Sequence, residues 1–187
     1  MAYGSFSGNP RTEWLCDDGD DSNMRMLESF WYTDPHGRRW VAPKDSITNG
    51  ASIPRTLWSS VGSPYTGNYR RAAIVHDVAL KTPGLVRDDA DTMFYFACMA
   101  GGCELMESKL LYAGVRIGTW SAATISYAAG ILTLLPAAPR LPGEQTRTEL
   151  EVRARYTLLA GELQFTSDDF DLIRATVARH LGSSPPA

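Results

Sequence analysis

The chain has 187 residues, is 44% hydrophobic and carries a formal net charge of −3, enough apolar material for one domain with a sizeable core. Near-balanced charge without a long basic run argues against a nucleic-acid partner. Three cysteines (Cys16, Cys98, Cys103) without C-x-x-C spacing argue against a disulfide framework or a structural zinc site, and for reduced, mostly buried thiols.

The opening stretch "MAYGSFSGNPRTEWLCDDGDD" has no basic segment followed by an apolar one, so no signal peptide is expected. The expected location is the cytoplasm. Residues 1–23, rich in Gly, Ser and Asp, are predicted to be loose. "MRMLESFWYT" (24–33) reads as a strand, "DPHG" (34–37) as a turn and "RRWVAP" (38–43) as the returning strand of a β-hairpin. Asn49-Gly50 is a turn dipeptide. Ser52, just before Pro54, reads as the cap of a short helix over 55–60; as a nucleophile in "GASIP" it is the weaker reading.

Helices are predicted over 69–81, stopped by Thr82-Pro83-Gly84, and over 87–100, stopped by Gly101-Gly102. Asp88 and Asp89 suit the first turn of the second. A third helix covers 104–116 and continues, kinked, into the uncharged stretch 117–138. That stretch has the length of a membrane span, but Thr119, Ser121, Thr124, Ser126 and Thr133 dilute it. A buried or interfacial helix is expected instead, with membrane association through 117–138 as a route to a lipid surface. "PAAPRLPGE" (136–144) is a proline-rich linker. Two amphipathic helices follow, over 148–163 and 167–181, the second with a cap formed by Ser167 with Asp168-Asp169. The expected fold is mainly α within the α+β class: an N-terminal β-hairpin followed by a helical bundle with an antiparallel helix pair. Its segments are 1–23, a domain over 24–118, the apolar helix 119–138, and a linker with a C-terminal helical pair over 139–187.

"AAIVHDVAL" (72–80) places an imidazole and a carboxylate side by side in an apolar helix. Folding the two helices about Pro83-Gly84 brings His76 and Asp91 to the same height, within side-chain reach. Asp91 would then fix the tautomer of His76 and leave its other nitrogen free as a general base. Asp77 diverges from His76 by about 100° around the helix, and could bind a hard cation through oxygen. The competing reading is a buried polar network that pins the helix pair, with Asp77 paired to Arg70, Arg71 or Lys81. Exposure separates the two, because a catalytic His76 opens onto a cleft and a structural one is sealed.

"WVAPKDSITNGASIPRTLW", "YRRAAIVHDVAL" and "RDDADTMFYFACM" together resemble a phage- and prophage-associated domain family of unknown function. Its pattern is T-D-G-A-S-I-P-R, then H-D-x-x-Y, then A-D-x-x-F. The resemblance covers residues 30–118. Thr48, Gly50, Ala51, Ser52, Ile53, Pro54, His76, Asp77, Ala90, Asp91 and Phe94 match, whereas Asn49 replaces the usual Asp and Leu80 the usual Tyr. A second likeness is to the His-Asp helix pair of phospholipases A2, although their glycine-rich calcium loop and disulfides are missing here. It implies His76 as base, Asp91 as its orienter and Asp77 as a calcium ligand, with the Asn49 amide oxygen as a further ligand.

The resulting expectation is a phage-associated hydrolase, a calcium-dependent esterase acting on phospholipid. The alternative is a non-catalytic virion or prophage interaction module with a phage protein as partner. Its aromatic residues (Trp31, Trp40, Trp58, Tyr65, Tyr69) would then serve core and interface. A transition-metal H…HD…D site drawing on His36 is a third, weaker reading. Oligomeric state stays open.

Overall fold

The computed structural model describes residues 3–16, 23–62, 66–132 and 145–182, with side chains placed as far as residue 122 in the long fourth helix. Two three-stranded antiparallel sheets precede a set of helices, and the fold class is α+β, mainly helical. The first sheet has the order β1 (Ser5–Phe6), β4 (Phe30–Thr33), β5 (Arg39–Ala42). The second has β2 (Thr12–Trp14), β3 (Met24–Met26), β6 (Ile47–Thr48). The β4–β5 hairpin forms as predicted, in the register Phe30 with Ala42 and Tyr32 with Trp40. These four residues alternate with more exposed neighbours and turn into the core, the period-2 pattern of a sheet with one buried face.

Two expectations are corrected here. The segment 24–33 is not one strand: β3 and β4 flank a break at 27–29 and join different sheets. Nor are all of residues 1–23 loose. Ser5 and Phe6 pair with Thr33 and Tyr32, and Thr12 to Trp14 pair with Met26 to Met24. Phe6 stacks on Phe30 at 5.7 Å, so edge pairing and ring packing order a stretch whose composition predicts neither.

A 3₁₀ turn (Arg55–Leu57) runs into α1 (Trp58–Val61). Ser52 is not its cap. Pro54 holds that position and no side chain caps it; its fixed φ, observed at −53°, suits a helical start. The helices α2 (Arg70–Leu80) and α3 (Arg87–Gly101) form the predicted pair. α3 ends at Gly102 in the left-handed conformation. α4 runs unbroken over Leu105–Leu132, so the expected boundary at 118 falls inside a helix. Ile117 and Ser121 are buried. No helix among the described residues is long and apolar enough to cross a membrane. The linker 136–144 and Tyr65 lie outside the described residues.

α5 (Arg147–Leu163) opens on a reciprocal capping box between Thr146 and Glu149. α6 (Phe170–Leu181) is capped by Asp169, whose carboxylate accepts from the N–H groups of Asp171 and Leu172. Of the expected cap residues Asp169 therefore serves, while Ser167 accepts from the Asp169 N–H. Phe170 closes on Tyr95, Phe96 and Tyr112 with ring centroids 4.7–5.4 Å apart, which docks α6 on α3 and α4. The core runs through both parts, from Phe30 and Tyr32 through Phe94 and Tyr112 to Leu159 and Ile173.

Candidate functional site

Ala72, Ala73, Val75 and Ala79 bury the inner face of α2 against α3 and β5. His76 lies within that face, fully buried. The turn after Leu80 returns the chain so that Asp91 of α3 meets it, with Nε2 of His76 2.8 Å from Oδ1 of Asp91. A carboxylate only accepts, so Nε2 carries the proton and donates. The Phe94 ring covers the imidazole at 4.8 Å. Nδ1 is buried and makes no hydrogen bond with the described residues.

Asp91 continues the network. Its Oδ2 makes no hydrogen bond with the described residues, but the Arg116 guanidinium of α4 lies 3.6 Å away, an ion-pair distance. Arg116 also pairs with Asp88, which Arg174 of α6 reaches at 2.5 Å. One chain of polar groups therefore joins α2, α3, α4 and α6. The motif reading found His76 and Asp91 but missed Arg116, whose only signal was a cation on the apolar run that opens α4.

Asp77 does different work. Its Oδ2 accepts from Lys81 Nζ at 2.7 Å and from the Asn49 backbone N–H at 3.1 Å. Lys81 Nζ also donates to the Ile47 carbonyl at 3.0 Å. The clasp holds the turn after β6, where Gly50 has φ of +93°, the conformation that the Asn-Gly dipeptide predicts. Adjacent residues on α2 thus fix two neighbours: His76 fixes α3, and Asp77 fixes the Asn49 turn.

One Asp77 oxygen is thus already taken by an ammonium and a backbone N–H, two hydrogen-bond donors where a hard cation would need oxygen neighbours. Among the described residues no three His, Cys, Asp or Glu are grouped to hold a metal ion. His36 sits in the β4–β5 turn, beside a cleft of about 320 Å³ that Asp34, Asp88, Asp89 and Arg174 also line. It does not complete a metal site with His76, Asp77 and Asp91.

The "GASIP" stretch leans on α4. A Cβ on Gly118 would lie 2.1 Å from the Ser52 carbonyl oxygen, and one on Gly114 would press on Ile53 at 3.4 Å. Two glycines four residues apart make the groove that receives the loop. Ser52 therefore presents its backbone carbonyl to the face of a helix. Cys98 is buried next to Cys103, and burial pushes its thiol pKa well up, the property of an inert thiol.

The motif loop, the His-Asp helix and the Ala-Asp helix thus form one packed unit. Residues 24–115 match the family described as "Protein of unknown function (DUF1353)". The matched segment holds β3 to β6, α1 to α3 and the first part of α4. The chain is 32% identical over 123 residues to the uncharacterized protein y4jT of Sinorhizobium fredii (strain NBRC 101917 / NGR234), covering 65% of this chain and 34% of that protein. It is 36% identical over 97 residues to the uncharacterized protein y4iH of the same strain, covering 52% of this chain and 41% of that protein. The chain therefore spans well under half the length of these relatives. No solved structure matches it.

Proposed function

We propose that this protein is a non-catalytic interaction module associated with phages and prophages, in which His76, Asp91 and Asp77 fasten the fold. The observation that carries this reading is the sealing of His76. Its side chain has 0% exposure, Phe94 lies over its ring, and a general base needs reach to water or substrate. Both carboxylates have cations beside them, Lys81 for Asp77 and Arg116 for Asp91, as in a network built to hold helices together. The phage and prophage association rests on the motif resemblance. Lipid and calcium are not part of this reading.

The test is fatty-acid release from mixed phospholipid vesicles, with calcium and with a chelator. The folded protein is expected to release none in either condition. Release that disappears in His76→Ala overturns the proposal.

One observation favours the hydrolase as a second reading. His76 Nδ1 is buried without a partner, and such a group calls for a water, a ligand or a catalytic role. On that reading a local opening of Phe94 exposes a base already oriented by Asp91. Calcium-independent release abolished by both His76→Ala and Asp91→Asn would establish it.

A further inference from the structure

α5 has two apolar faces. Val152, Tyr156, Leu159 and Leu163 bury one in the core. The opposite face carries Leu150, Ala154, Leu158 and Gly161, continued past the helix end by Phe165, all exposed. Leu150 is 54% exposed, Leu158 67% and Phe165 89%. Solvent-facing helix positions are normally polar, so this second stripe requires an occupant.

We infer that the occupant is a second copy of this chain, docked α5 against α5, antiparallel, about a two-fold axis between Thr157 and Leu158. The order of side chains carries the argument. Read from either end the stripe runs large, small, middle, small, large; its four outer positions are symmetric about that midpoint, and Leu158 lies half a residue from it. Antiparallel pairing sets Leu150 against Phe165 of the second copy, Ala154 against Gly161, and Leu158 against Leu158. An isologous interface demands such self-complementarity.

Gly161 adds an independent point. It lies within a helix, where glycine is unfavourable, and a Cβ there would meet nothing within 4 Å. Among the described residues nothing requires the missing side chain, whereas a second helix backbone crossing closely does. The area agrees with a modest dimer. Burying this stripe on two copies removes on the order of 1,000 Å² from water, the threshold of a specific interface. Association is therefore expected at micromolar or higher concentrations.

The test is sedimentation equilibrium of the full chain over about 1–500 µM, the range where such interfaces assemble. A reversible dimer is expected, weakened at least roughly tenfold by Leu158→Glu through a desolvated charge at the dyad. Unchanged circular dichroism and melting of that variant's monomer show that the fold is intact. In a Cys16→Ser background, a short bis-thiol reagent should link Thr157→Cys to itself but not Leu150→Cys, whose copies lie at opposite ends. A monomer at every concentration, or a dimer indifferent to Leu158→Glu, overturns the inference. So does equal cross-linking of the two cysteine variants, which would mean a different register.

Discussion

Nε2 of His76 lies 2.8 Å from Oδ1 of Asp91, and neither side chain is more than 1% exposed. A pair so enclosed is costly to halve. Removing His76 leaves the buried Asp91 carboxylate without its donor, a loss of about 1–3 kcal/mol or more for a charged group. His76→Ala is expected to lie in that range and also to open a cavity beneath Phe94. Asp91→Asn keeps an acceptor and should cost less. In urea unfolding, a His76→Leu, Asp91→Leu double variant should lose less than the sum of its single variants. Strict additivity would remove the fastener role.

Asp77 is expected to act on the turn rather than on a metal. Asp77→Ala removes the acceptor for the Asn49 N–H, a charge-assisted bond worth about 1.5–3 kcal/mol. Amide hydrogen exchange at Asn49 should accelerate, with little change at Asp91. Lys81 is half exposed, so Lys81→Met should cost under about 1 kcal/mol. Calcium should shift the melting temperature of neither variant nor of the parent protein.

Two glycine substitutions should have opposite outcomes. Gly118→Ala drives a methyl group into the Ser52 carbonyl, and overpacking of this kind costs about 1–3 kcal/mol. Gly161→Ala meets open space and should stabilise the monomer by up to about 1 kcal/mol. Thermal unfolding of the two variants side by side measures both.

Acid should loosen the α5–α6 contact first at Glu162. Hydrogen bonds from Arg179 and then His180 lower its pKa from 4.5 to about 2. A depressed carboxylate pKa contributes stability that is present above the unfolded value and is lost as pH falls through the folded one. The contribution is therefore complete above pH 4.5 and fades toward pH 2. Glu162→Gln should flatten the pH dependence of stability within that window, read by denaturant melts at pH 5, 4, 3 and 2.5.

Much of this architecture was legible locally. Alternation on both sides of Asp34-Pro35-His36-Gly37 specified the hairpin. Equal distances of His76 and Asp91 from the Pro83-Gly84 turn specified their contact, because antiparallel helices match heights. What escaped depends on partners distant in sequence. β1 and β2 are two and three residues long, too short for any periodicity, and exist through pairing with β4 and β3. One cap misled for a competitive reason. Ser52 was plausible, but Pro54 stands nearer the first turn. The sealing of His76 was not readable at all, since the Phe94 ring over it is a product of tertiary packing.

The unbroken course of α4 bears on how this protein can be divided. The recognisable family segment stops at Val115, yet the helix that backs the motif loop continues through Gly118 to Leu132. An excised fragment ending at 115 would keep every signature residue and lose the surface on which the Ser52 carbonyl rests. The matched stretch and the packed unit therefore end at different residues, and a fragment cut by sequence likeness would keep the Gly114 support of Ile53 but lose the Gly118 backing of Ser52.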